Sequence, residues 1–124
     1  MIVAGFGFRT SVTRSSLADA YAKARGRAHG SASVFATAAD KATTPAFQRL
    51  ASDERATVTP VAAGDLIAQP TITQSEPAKT ARGTGSVAEA AALAAAGPQA
   101  RLLAPRAVSD DGKATCALAE GSKP

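Results

Sequence analysis

Arg82-Gly83-Thr84-Gly85-Ser86-Val87-Ala88-Glu89-Ala90-Ala91-Ala92-Leu93 runs a turn of glycine, threonine and serine straight into an alanine-rich helix. Ser86 and Glu89 stand at the S-x-x-E spacing of a capping box, which predicts that each side chain bonds the other residue's backbone N–H. On that reading both residues are structural. The turn ahead of them carries the functional reading, because the free N–H groups of a first helical turn and the helix dipole attract anions. The helix is expected from Val87 to about Ala96, with its stop at Gly97-Pro98.

Outward from this helix the chain alternates. Downstream, Arg101 to Leu103 reads as a strand and Asp110-Asp111-Gly112 as a turn. Ala114 to Ala119 reads as a last strand, able to form a hairpin with what precedes it. Upstream, residues 68–80 are rich in Pro, Thr, Gln and Ser and read as a mobile loop. Thr57 to Val61 is a strand, followed by a short helical turn at Ala63 to Leu66. Thr44-Pro45 starts a helix, with Thr44 as cap, Pro45 in the first helical position, and Phe47, Leu50 and Ala51 facing inward. Ser33 to Thr37 is a further strand. Leu17, Ala20, Tyr21, Ala24 and Ala28 share one helix face, with Thr13, Ser15 and Ser16 as cap candidates. At the front, Ile2 to Phe6 is a buried strand closed by a Gly5-Phe6-Gly7 turn. Strands alternating with helices predict one α/β domain over residues 1–124. It is a three-layer α/β/α arrangement, and the hairpin makes its β-sheet mixed.

Composition narrows the classes of partner. A chain of 124 residues suits one domain with one core. Much of its apolar content is alanine and it has no Trp, so the core is expected from close approach of helices and strands rather than from large rings. The net charge of +4 favours anionic partners. The basic residues are scattered without interleaved aromatics, which argues against nucleic acid. Cys116 is the only cysteine, which excludes an intrachain disulfide. The apolar start Met1 to Phe6 carries no basic leader, and the longest apolar run, Ala90 to Ala96, falls far short of a membrane span. The chain is therefore read as soluble and cytoplasmic, with no membrane partner.

Three segments carry candidate binding residues. Gly5-Phe6-Gly7 invites a dinucleotide reading, but Thr10 holds the third glycine position and no acidic residue ends the second strand. Gly5 and Gly7 then serve either a tight turn or a close approach of backbone to another ligand. Arg9 lies just beyond, at the carboxyl end of a strand, where α/β sheets gather ligands. It is a contact for a carboxylate or phosphate, or else a solvated arginine. Thr37 and Lys41 are expected on the same rim, Lys41 as charge partner of an anion or as an ordinary exposed lysine. Arg82, Gly83, Thr84, Gly85 and Ser86 complete the set. Lys113, in the Asp110–Lys113 turn, is expected elsewhere.

Other chemistries find little support. His29 is the only histidine and reads as a surface or capping residue. One His and one Cys cannot furnish a zinc cluster, so no metal or cofactor is expected. Cys116 reads as a small core residue. No carboxylate pair is placed for acid–base work, and no catalytic residue is assigned.

Met1 to Arg9, the Ala-Thr-x-x-x-Lys of Ala36 to Lys41, and the Gly-x-Gly-Ser-Val-Ala-Glu-Ala-Ala-Ala-Leu of Gly83 to Leu93 resemble the CobE/CbiG C-terminal domain family of cobalamin (vitamin B12) biosynthesis. Leu102 to Arg106 and Thr115 to Ala119 resemble its closing motif, so the likeness covers essentially the whole chain. The resemblance implies a three-layer α/β domain in its stand-alone form. It implies handling of a corrinoid intermediate, a porphyrin-like tetrapyrrole such as a precorrin or hydrogenobyrinic acid. It leaves two alternatives: an enzyme opening the δ-lactone of cobalt-precorrin-5A with release of acetaldehyde, or a non-catalytic partner of other pathway enzymes. The chain departs from the family at Phe8, where many relatives have cysteine, and at Thr44, where a glutamate is common. Arg106 replaces a common lysine and keeps its charge.

Overall fold

The structure, a computed structural model, describes residues 1–28, 30–71, 74 and 85–121. In chain order these form β1 (Ile2–Phe8), α1 (Arg14–Ala28), β2 (Val34–Ala38), a 3₁₀ turn (Ala39–Lys41), α2 (Pro45–Asp53) and β3 (Thr57–Val61). Then follow α3 (Ala63–Ile67), α4 (Val87–Ala96), β4 (Arg101–Val108) and β5 (Ala114–Glu120). The strands make one sheet in the order β3-β2-β1-β5-β4. β1, β2 and β3 run parallel, while β5 is antiparallel to both β1 and β4. Strands β1 to β4 therefore all end on one edge, and β5 begins there. Helices α1 and α2 cover one face; α3 and α4 cover the other. The α/β domain and the mixed sheet are as expected from the alternation and the hairpin.

The two faces are built differently. Side chains alternate along a strand, so Phe6 and Phe8 of β1 and Phe35 of β2 point to the α1/α2 side. There they meet Tyr21 and Phe47, with ring centroids 4.8 to 6.2 Å apart. These five rings are all the aromatics in the chain. The expectation of a core without large rings is thus corrected for this face. It holds on the other face, where Val3, Ala36 and Ala38 lie under the alanines of α4. A Cβ on Gly5 would stand 2.1 Å from the carbonyl oxygen of Ala88 and 2.4 Å from the nitrogen of Ala92. The helix backbone rests directly on the strand, which only glycine permits.

Several boundaries move for physical reasons. β1 does not turn at Gly5-Phe6-Gly7; it continues to Phe8, because β5 pairs with it as far as Phe8 opposite Ala114. β4 runs past Leu103 to Val108, with register shifts between Leu102 and Ala104 and between Ala104 and Ala107. Pro105 lies inside the second shift, where an edge strand tolerates a residue without an N–H. Thr44 holds the N-cap position of α2 and Pro45 its first turn, but the Thr44 side chain makes no capping bond. The capping box at α4 is also corrected. Ser86 Oγ accepts from the Glu89 N–H at 3.2 Å, but Glu89 Oε2 accepts from the backbone N–H of Arg106 at 2.9 Å. The bulge leaves that N–H of β4 free of its ladder, and the buried carboxylate takes it.

Candidate functional site

The edge where β1 to β4 end collects two of the three predicted segments and the end of the third. Arg9 follows β1 and is exposed. Lys41 closes the 3₁₀ turn after β2, and its Nζ lies 5.7 Å from the centre of the Phe8 ring. The other neighbour of that ring is Phe47, stacked at 5.7 Å with an interplanar angle of 25°. Lys41 thus lies over a half-buried ring, and Arg9 is the next residue along the chain from that ring. An ammonium over an aromatic face is attracted by the ring's quadrupole, so Lys41 is oriented without a carboxylate partner.

α4 enters the same edge from the opposite face. A Cβ on Gly7 would lie 3.3 Å from Val87 Cβ, so the first turn of α4 packs at the end of β1. Gly5 and Gly7 work as the seat of this helix, in place of the turn expected of them. The Gly7 carbonyl accepts from Thr115 Oγ1 at 3.1 Å. Thr37 is buried, and its hydroxyl donates to the Phe6 carbonyl at 2.8 Å, fastening β2 to β1 just beneath the edge. Gly85 and Ser86 are buried at the head of α4. Arg82, Gly83 and Thr84 lie outside the described residues, as does His29.

Lys113 corrects the placement made from sequence. Because β5 pairs with β1, the turn before β5 reaches this edge, and the Arg9 N–H donates to the Lys113 carbonyl at 3.0 Å. The same turn is latched to α1. Asp111 Oδ2 accepts from Ser16 Oγ at 2.5 Å, and Oδ1 accepts from Ser109 Oγ at 2.7 Å and the Lys113 N–H at 3.0 Å. These bonds, Ser16 first, hold the Asp111 carboxyl down at about 2. Phe8 and Lys113 are the residues that sequence reasoning missed. The signal for Phe8 was its place in the β1 alternation. For Lys113 no local signal exists, since it depends on which strand β5 joins.

Elsewhere the described residues offer less chemistry. Cys116 is fully buried, and burial pushes its thiol well above the usual range, as suits a core residue. No group of His, Cys, Asp and Glu among the described residues is arranged to hold a metal. No helix among them is long and apolar enough to cross a membrane. A groove of about 500 Å³ lies between α3 and the far end of α4, lined by Asp65, Gln69, Leu93 and Gly97 among others. It sits at the opposite end of α4 from Ser86, about 15 Å along the helix.

Fold and edge define an α/β domain whose strand-end rim carries Arg9, Lys41 and the half-buried Phe8 ring. The chain belongs to the family described as cobalamin synthesis G C-terminus, whose model matches residues 2–119, and so to the proteins of cobalamin biosynthesis. Its structure is similar to that of CobE, a protein from the cobalamin (vitamin B12) biosynthetic pathway, at 29% identity and a TM-score of 0.83, over 96% of this chain and 89% of that one. It is similar to the cobalamin biosynthesis protein chiG from Agrobacterium tumefaciens str. C58 at 30% identity and a TM-score of 0.76, over 99% and 100% of the two chains. A putative cobalamin biosynthesis protein G homolog from Sulfolobus solfataricus shares the fold, at 20% identity and a TM-score of 0.69, with 95% of this chain matching 36% of that one. No curated protein sequence matches the chain.

Proposed function

We propose that this protein binds a corrinoid intermediate of cobalamin biosynthesis at the strand-end rim, through Arg9, Lys41 and the turn of residues 82–86. The observation that carries this reading is Lys41, in the turn after β2, lying over the half-buried Phe8 ring at the end of β1, the strand that Arg9 follows. Corrin-ring intermediates are wide, largely apolar plates fringed with acetate and propionate carboxylates. Separated cations around an aromatic surface match that chemistry. Gly5, Gly7 and Thr37 act beneath the rim, by seating α4 and fastening β2 to β1. Each charged contact at an exposed rim is worth only about a fivefold gain in affinity, so tight binding needs several.

A visible-absorbance titration with hydrogenobyrinic acid and with its amidated product tests this. The acid is expected to bind more tightly, because amidation removes the charge the rim answers, and binding weakens as salt rises. Arg9→Ala and Lys41→Ala each lower the affinity. Equal affinity for acid and amide, indifferent to salt, overturns the reading. Acetaldehyde release from a precorrin-5A substrate would make the protein a lactone hydrolase instead. Capture of a pathway enzyme without tetrapyrrole would make it a partner subunit.

A further inference from the structure

We propose that Lys113 is a third cation of the rim and forms with Arg9 a two-point clamp for one peripheral carboxylate of the ligand. The inference rests on the rim being the anion site, and it names a residue and a pairing that the sequence placed apart. The backbone bond from the Arg9 N–H to the Lys113 carbonyl is the next step of the β1–β5 ladder beyond Phe8 and Ala114. Only half of that step forms, because the Lys113 N–H goes to Asp111 instead. Residues opposed across an antiparallel pair have Cβ atoms about 5 Å apart, and like charges there repel. Arg9 and Lys113, both basic, take up that opposed position.

The charges around them leave the pair open. Arg14, Lys23 and Arg101 each form a salt bridge with a carboxylate, whereas Arg9, Lys41 and Lys113 form none among the described residues. Asp111 is the acidic group beside Lys113 and offsets part of its charge, but its oxygens are engaged by Ser16, Ser109 and the Lys113 N–H. A carboxylate bridging Arg9 and Lys113 would remove their repulsion and take a donor from each. Lys41, over the Phe8 ring, would meet a second carboxylate of the same plate.

The test compares Lys113→Gln, Lys113→Arg and Arg9→Ala with the unaltered chain, and uses Arg101→Gln at the other end of β4 as the control for net charge. Thermal melts confirm that each variant folds. Titrated with hydrogenobyrinic acid at low salt, Lys113→Gln is expected to weaken binding about fivefold. Lys113→Arg retains affinity, and the double variant with Arg9→Ala loses less than the two singles combined. Affinity unchanged in Lys113→Gln while Arg9→Ala weakens it overturns the clamp and leaves the corrinoid reading standing. An equal loss in Arg101→Gln reduces the effect to net charge and also overturns it. Where the unaltered chain binds no corrinoid, citrate serves as the carboxylate probe. A rise in melting temperature with citrate that Lys113→Gln diminishes supports the clamp apart from the corrinoid reading, and an equal rise in both overturns it.

Discussion

Asp111 shows how much a single turn residue can do once the chain is folded. It joins Ser16 of α1 and Ser109 at the end of β4, two hydroxyls distant in sequence, and orders the Lys113 backbone beside Arg9. Its folded pKa of about 2 lies below the ordinary 3.8, so the network stabilises the fold above pH 3.8 and this contribution is lost as pH falls towards 2. Asp111→Asn is expected to lower the melting temperature at neutral pH and to leave it nearly unchanged at pH 2, relative to the unaltered chain. Melts across that range check it, and a constant difference at every pH would contradict it. The Asp-Asp-Gly turn was legible from its composition, but the partners of Asp111 were not. Glu89 is similar. Its spacing from Ser86 marked a helix start, yet its carboxylate serves a bulge on another strand.

Among the elements, α4 and β1 depend on each other most closely. α4 is alanine on nearly every side, with Ala88, Ala90, Ala91 and Ala92 all fully buried. Such a helix gains little per side chain and must gain by approach. Gly5 allows that approach, and a methyl group there would overlap the Ala88 carbonyl. Gly5→Ala is therefore expected to destabilise the domain by about 3 kcal/mol, the upper end for an overpacked site, since the clash is with backbone that cannot rotate away. Denaturant unfolding measures it, and a loss below about 1 kcal/mol would show that α4 can shift outward cheaply. The glycine pair was visible in the sequence as a break in an apolar strand. Its partner, Ala88, lies 83 positions further along the chain, so a turn was the nearest local explanation. Helix α2 was better determined, because Thr44-Pro45 and the Phe47, Leu50, Ala51 stripe are all local signals.

For the molecule as a whole, the strand order puts β1 at the centre, between β2 and β5, with β3 and β4 at the edges. β1 and β5 contribute Phe6, Cys116 and Leu118, all wholly buried, whereas β3 exposes Thr57 and Pro60. Native-state hydrogen exchange is expected to be slowest at the amides of β1 and β5, and fastest among the strands at β3. Protection of β3 equal to that of β1 would contradict this. Local rules in the sequence determined the alternation of strands and helices, the start and stop of α4, the extent of β3 and the C-terminal hairpin. They work within a few residues, through periodicity, caps and turn chemistry. Tertiary structure alone decided that β5 joins β1, that Gly5 and Gly7 seat a helix, and that Lys113 stands beside Arg9. Each of these depends on which distant surfaces fill one another's space, and a pairing between strands a hundred residues apart leaves no mark on either strand alone.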